Sequence, residues 1–153
     1  MNVRLIAVGK IREPYIADAL ADFRKRLKPY HAVEEIEVKA ADGSNPQRAL
    51  ADESQRILKL LAGGDEVWLL ERSGTALSSE ALSTKIGALE DSGAKSLTLV
   101  IAGTYGAAPE LQKRAQFHWS LSALTFLHEW ARAIVLEQLY RAAKIARNEP
   151  YHH

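Results

Sequence analysis

Apolar residues along the chain follow two different periods, and the two alternate. Apolar runs at residues 3–8, broken only by Arg4, and at 97–102 predict strands buried on both faces, as in a parallel sheet, and residues 66–71 (EVWLLE) predict a further strand. Residues 33–38 alternate in part between apolar and acidic side chains, which is typical of a more exposed strand. The run at 97–102 is apolar over nearly its whole length, so we expect it at the centre of the sheet.

The segments between these strands repeat their apolar positions at helical spacing. Each begins with a capping residue or a first-turn proline, at Pro14, at Asn45 with Pro46, and at Ser78. Two glycines at 63–64 end the second helix, and the third runs to about residue 89 after a turn at 72–75. This alternation predicts a single α/β domain over residues 1–153, with a mostly parallel sheet and helices on both faces.

The longest predicted helix runs from His128 to about residue 147 and is apolar on two opposite sides. One side carries Ala131, Val135, Leu139, Ala142 and Ala146, and the other carries Trp130, Ile134 and Ile145. A helix of this kind must be covered by two surfaces. The sheet supplies one, and we expect a second copy of the chain to supply the other, since two-fold homodimers are the commonest assembly.

Two arginines lie next to the apolar stripes of this helix. Arg132 falls within the first stripe and Arg141 beside the second, and cations in such places need partners. Spacings of three and four residues predict ion pairs from Glu129 to Arg132 and from Glu137 to Arg141. A role in a binding site is the alternative for both arginines.

Composition excludes several classes of function. The chain has no cysteine, which excludes disulfides, thiolate metal sites and cysteine nucleophiles. Its net charge of +1 is too small for binding nucleic acid by bulk charge. Without a metal-binding motif such as His-Glu-x-x-His, or a dinucleotide or triphosphate loop, we expect no metal and no such cofactor. The first apolar run is too short for a signal peptide or membrane span, so we expect a cytoplasmic protein that binds no membrane.

Two strand ends carry small residues that would let a ligand approach the backbone. One is residues 70–74, after the third strand, and the other is residues 102–106, after the fourth. Parallel α/β sheets bind ligands at the carboxyl ends of their strands. A simple turn is the alternative interpretation of both segments.

Six short segments together identify a family. They are LIAVGK at 5–10, LSSE at 77–80, IAG at 101–103 with Gly106, LSALTFLH at 121–128, EQLYRA at 137–142, and PYH at 150–152. On these segments the chain resembles, nearly end to end, the small SPOUT-class ribosomal RNA methyltransferases of the RlmH type. The resemblance implies homodimers that transfer a methyl group from S-adenosylmethionine to N3 of a pseudouridine in large-subunit ribosomal RNA, on assembled ribosomes. It also implies a C-terminal trefoil knot, which no pattern in the sequence indicates.

The same resemblance implies the residues of the site. The cofactor would lie against Leu70, Ala102, Gly103, Leu121, Ser122, Ala123, Leu124, Thr125 and Phe126. We expect a catalytic, RNA-facing wall of His128, Arg141, Tyr151 and His152, in which the C-terminal tail of one subunit closes over the cofactor of the other. The family usually has Gly-Gly where this chain has Ala102-Gly103, and Pro where it has Leu127. We expect these departures to affect affinity more than activity.

The residue types agree with direct methyl transfer to a ring nitrogen. Such a transfer needs no cysteine adduct, only in-line positioning and a group that accepts the N–H proton. Two other hypotheses remain open at this point. One is a non-catalytic module that binds RNA or ribosomes and keeps the fold. The other is an α/β protein that binds a small nucleotide and has no role on RNA.

Overall fold

The computed structural model describes residues 1–151, in which strands and helices alternate along the chain. The elements are β1 (Asn2–Val8), α1 (Pro14–Leu27), β2 (Ala32–Val38), α2 (Pro46–Leu58), β3 (Glu66–Ala76), α3 (Ser79–Asp91), β4 (Ser96–Ile101), α4 (Pro109–Arg114), β5 (Phe117–Ser120) and α5 (His128–Ala146). All the strand pairs are parallel, and the sheet order is β2-β1-β4-β3-β5. The predicted α/β fold is confirmed, with the fourth strand at the centre and the more exposed second strand at an edge.

Helices cover both faces of the sheet, as the sequence predicts. Helices α1, α3 and α5 pack against one face, where Leu5 of β1 and Leu99 of β4 are buried. Helices α2 and α4 pack against the other, where Ile6 of β1 and Val100 of β4 are buried. Neighbouring residues of one strand therefore serve two cores, which explains why these strands are continuous apolar runs.

The helix starts follow the predicted capping residues. The side-chain oxygen of Asn45 accepts a hydrogen bond from the N–H of Arg48, and Ser78 Oγ accepts one from the N–H of Ala81. Pro14 and Pro46 occupy the first helical turns. Within the described residues, no helix is long and apolar enough to cross a membrane.

The predicted turn at 72–75 is wrong, because β3 continues through it to Ala76. The continuation pairs Thr75 with Trp119 and Ala76 with Ser120 of β5, after a register irregularity that follows Leu70. Gly74 makes this close pairing possible, since a Cβ there would lie 2.6 Å from the carbonyl oxygen of His118. The polar residues of this extension gave no strand pattern of their own.

Helix α4 and strand β5 are additional elements that the sequence interpretation left inside a loop. Both are short, and β5 has four residues. Pro109 at the first turn of α4 was the available helix signal. Ser120 is the last residue of β5, and the loop that leads to α5 follows it.

One predicted ion pair on α5 is confirmed and the other is wrong. Arg141 binds Glu137, with 2.7 Å between its Nη2 and Oε1. Arg132 instead donates to the carbonyl oxygens of Val8 and Gly9 and pairs with a carboxylate of β2. A buried guanidinium needs several acceptors, and the end of β1 supplies two of them, whereas Glu129 accepts the N–H groups at the start of α1.

Candidate active site

A cavity of about 510 Å³ lies at the carboxyl edge of the sheet, where β4 and β5 end and β3 continues into its extension. Its walls come from the segment after Leu70 of β3, the turn after Ile101 of β4, and the loop between β5 and α5. The volume falls within the range of small-ligand sites, and the sheet edge is where parallel α/β folds bind ligands. Both small-residue segments found in the sequence therefore contribute to one cavity, although residues 70–74 continue β3 and do not end it.

Every predicted cofactor residue except Ala123 lines this cavity. They are Leu70, Ala102, Gly103, Leu121, Ser122, Leu124, Thr125 and Phe126. Ala123 belongs to the same loop and is exposed, but it is not part of the wall. Ile101 and Trp119 add apolar surface that the resemblance did not name.

The loop after β5 is fixed by hydrogen bonds to the extended part of β3. Arg72 Nη1 donates to Thr125 Oγ1 at 2.9 Å, and the carbonyl oxygen of Arg72 accepts from Ser120 Oγ at 2.9 Å. Within the loop, Ser122 Oγ accepts from the N–H of Leu124 at 3.0 Å. The strand extension that the sequence did not predict is thus what holds this wall of the cavity.

The turn after β4 is closed by its own backbone. The N–H of Gly106 donates to the carbonyl oxygen of Gly103 at 2.9 Å, and Gly106 has a φ of 90°, a left-handed conformation that favours glycine. Ala102 is not among the described residues with positive φ, so its methyl group is compatible with the backbone. The departure from Gly-Gly therefore causes no backbone strain.

A carboxylate and an imidazole lie beside the cavity and were not singled out from the sequence. Glu71 lines the wall, and its Oε2 lies 2.6 Å from His118 Nδ1. The other ring nitrogen of His118 lies 3.0 Å from the carbonyl oxygen of Gln112 on α4. This chain of contacts fixes the orientation of Glu71. Glu71 lies within residues 70–74, a segment that the sequence already indicates as a place where a ligand could bind.

His128 lines the cavity and is held by the end of β1. Its Nε2 lies 2.7 Å from the carbonyl oxygen of Val8. A carbonyl oxygen only accepts hydrogen bonds, so Nε2 carries a proton. In the neutral ring Nδ1 is then the nitrogen with a free lone pair, and it is the atom that could take up a proton.

Arg141 and Tyr151 do not line the cavity of their own chain. They lie together near the end of α5, with the guanidinium carbon of Arg141 4.7 Å from the centroid of the Tyr151 ring. That ring packs edge-on against Tyr140, and its hydroxyl donates to Glu137 Oε1 at 3.4 Å. Burial raises the pKa of Tyr151, and the Glu137 carboxylate adds to the effect. His152 lies outside the described residues.

A family profile described as "Predicted SPOUT methyltransferase" matches residues 1–152. The chain belongs to the SPOUT methyltransferase family. Among its relatives, a protein of Dictyoglomus thermophilum named ribosomal RNA large subunit methyltransferase H is 38% identical over 153 residues, covering 100% of each chain. Proteins of the same name from Pelobacter propionicus and Gloeobacter violaceus are each 39% identical over 153 residues, covering 100% of this chain and 99% or more of their own.

The sequence of this SPOUT family member contains no His-Glu-x-x-His metal motif. Among residues 1–151, no group of three or more histidine, aspartate or glutamate side chains is arranged to hold a metal ion.

Proposed function

We propose that this protein is an S-adenosylmethionine-dependent methyltransferase that modifies N3 of a pseudouridine in large-subunit ribosomal RNA, on assembled ribosomes. The observation that carries the proposal is the convergence of the extended part of β3 and the segments after β4 and β5 on one cavity, lined by nearly all the residues that the family resemblance assigns to the cofactor. Relatives of the same length that carry the name ribosomal RNA large subunit methyltransferase H support the choice of RNA.

The cavity fits S-adenosylmethionine in size and in chemistry. Leu70, Ile101 and Leu121 supply apolar surface for a flat adenine ring, and the turn after β4 presents backbone groups beside it. Arg72 and Glu71 place a cation and a carboxylate on the wall, which complement the carboxylate and ammonium groups of an amino acid. When bound, S-adenosylmethionine supplies a methyl group activated by a sulfonium.

The side chains of this chain would orient the base and accept its proton. His128 presents Nδ1 as a proton acceptor, because its Nε2 is engaged by the Val8 carbonyl. The raised pKa of Tyr151 keeps its hydroxyl protonated at neutral pH, so Tyr151 would stack on a base or donate a hydrogen bond rather than act as a general base. Arg141 would bind a phosphate or a carbonyl oxygen. His152 remains the second candidate base.

The separation of Arg141 and Tyr151 from the cavity supports a composite site in a homodimer. In one chain these residues lie with Tyr140 near the end of α5, whereas His128 begins the same helix at the cavity. A second copy would bring the tail of one subunit to the cavity of the other. Exposed apolar side chains on α1 and α5 support the dimer: Tyr15 and Trp130 lie with ring centroids 5.8 Å apart.

The trefoil knot belongs to this proposal as a family expectation. The parallel order β2-β1-β4-β3-β5, with α5 packed on α1 and α3, is compatible with it. A knot of this kind would bring the loops after β4 and β5 against one another and so give the cavity rigid backbone walls.

Calorimetric titration of S-adenosylmethionine into the purified protein tests the proposal. We expect one site per subunit, and a Thr125→Ala variant that binds about tenfold more weakly, since Thr125 anchors Arg72 through a hydrogen bond to a charged group. Thr84→Ala is the matched control, because Thr84 is exposed on α3 and outside the cavity wall. Absence of binding at millimolar cofactor, with ribosomes added as well, would contradict the proposal and favour the non-catalytic module.

A further inference from the structure

Helix α2 reaches the turn after β4 through two consecutive buried polar residues. Ser54 is 1% exposed, and its Oγ accepts a hydrogen bond from the N–H of Ala108 at 2.9 Å. Glu53 is 5% exposed, and its Oε2 accepts one from the N–H of Ala41 at 3.3 Å. The carboxyl group of Glu53 also lies beside Gly103. The two side chains therefore contact both ends of the segment that joins β4 to α4, and this segment forms a wall of the cavity.

The space at Gly103 is taken by the carboxyl group of Glu53. A Cβ on residue 103 would lie 2.5 Å from Glu53 Oε1 and 3.0 Å from Oε2. Gly103 is not among the glycines with positive φ, so its backbone conformation is one that other residues adopt. A side chain at position 103 would therefore have to displace the carboxyl group of Glu53, which is buried.

Glu53 contributes little to the stability of the fold from this position. Its carboxyl group is buried, and no lysine, arginine or histidine of residues 1–151 forms an ion pair with it. A buried acid without a cation is costly, and an apolar residue on this helix face would pack against the core of Ile57 and Leu111 at lower cost. The carboxyl group contacts the N–H of Ala41 and, at Gly103, the turn that lines the cavity.

We propose that Glu53 is a positioning residue for the methyl-donor site: its carboxyl group lies behind Gly103 and fixes the turn after β4 in the conformation that lines the cavity. The inference rests on the proposed function, because it assigns that cavity to S-adenosylmethionine. Glu53 acts through the backbone of the turn and does not touch the ligand.

Two variants of Glu53 test this role. Glu53→Ala removes the support, and we expect it to weaken S-adenosylmethionine binding about tenfold in calorimetry and to accelerate hydrogen exchange of the amides at 103–106 in the protein without ligand, since removing a supporting group loosens the site it orients. Glu53→Gln keeps the shape and the acceptor for Ala41, so it should retain most of both properties. Asp52→Ala is the matched control, an exposed acid on the same helix.

A double-variant cycle tests the contact with Gly103 directly. Gly103→Ala should weaken binding because its Cβ meets Glu53, and Glu53→Ala should make room for that Cβ. We therefore expect the double variant to bind about tenfold more tightly than the product of the two single effects, as coupled neighbours do. Additive effects would overturn the proposal.

The outcomes separate this inference from the proposed function. If the wild-type protein does not bind S-adenosylmethionine, the proposed function fails. If it binds, and Glu53→Ala binds within twofold of wild type with unchanged exchange at 103–106, Glu53 is not a positioning residue and the proposed function stands. If Glu53→Ala does not fold, Glu53→Asp takes its place, because it keeps the acid but draws the carboxyl group back from Gly103. Binding within twofold of wild type and unchanged exchange at 103–106 in Glu53→Asp would then overturn the role.

Discussion

At the scale of single residues, the structure departs from the pattern of apolar and polar positions in the sequence chiefly at buried polar side chains. Arg132 is 2% exposed inside a helix stripe that is otherwise apolar. Its guanidinium binds the carbonyl oxygens of Val8 and Gly9, where β1 ends and the chain leaves the sheet. The arginine therefore joins α5 to the strand end beside the cavity.

Replacing Arg132 should destabilise the fold strongly. Arg132→Ala removes the hydrogen bonds to the carbonyl oxygens of Val8 and Gly9 and opens a cavity, so we expect a loss of about 3 kcal/mol in the free energy of unfolding. Urea denaturation measures it. Arg48→Ala on the exposed side of α2 is the control, with an expected change within about 0.5 kcal/mol. Equal effects of the two variants would refute the bridging role of Arg132.

His31 predicts a dependence of stability on pH. Burial lowers its pKa, the neighbouring N-terminal ammonium of Met1 lowers it further, and Glu90 opposes them. The unfolded chain thus binds a proton at His31 that the folded chain does not, and stability falls as the pH drops below about 6.5. In His31→Gln the free energy of unfolding should decrease less steeply between about pH 6.5 and 5. Parallel curves for the two proteins would disprove this.

At the scale of elements, local sequence patterns predict the buried strands and the capped helices. They do not predict segments that become strands only through pairing with a distant part of the chain. The buried runs at 3–8 and 97–102 and the caps at Asn45 and Ser78 contain their own signals. The extension of β3 beyond residue 71 is polar and exposed, and it is a strand only because β5 pairs with it. Short elements of this kind depend on distant contacts.

The start of α5 offers a prediction at this scale. Leu127 has a φ of −53°, which a proline ring accommodates, and its side chain is 57% exposed. Leu127→Pro should therefore stabilise the protein by about 0.4–1 kcal/mol through a less flexible unfolded chain. Leu124→Pro is the control, because the N–H of Leu124 donates to Ser122, and that variant should destabilise. A loss of stability in Leu127→Pro would contradict the account.

At the scale of the whole molecule, the family resemblance already named many residues that line the candidate site, whereas the other site residues depended on the fold. The resemblance named eight residues that line the cavity. It did not name Glu71 or Glu53, whose positions depend on contacts with His118 of β5 and Gly103 of the turn after β4. It placed Arg141 and Tyr151 with His128, and a single chain does not bring them together.

Complementation between two inactive variants tests the composite site. A tail variant, Tyr151→Ala with His152→Ala, keeps its cavity, and Ala102→Phe fills the cavity but keeps its tail. Coexpressed, they should recover roughly a quarter of wild-type methylation, since random pairing makes about half of the dimers heterodimers with one complete site each. A mixture as inactive as the separate variants would show that tail and cavity act within one chain.

The most direct test of the proposed function is methyl transfer itself. Ribosomes that lack the methyl mark would be incubated with the protein and S-adenosylmethionine carrying a labelled methyl group, and the nucleosides of the large-subunit RNA would be separated and identified by mass. We expect label in one N3-methylated pseudouridine per ribosome, and little label in the Thr125→Ala protein at limiting cofactor. Label in another nucleoside would refute the assigned target, and no label at all would contradict methyl transfer to the ribosome.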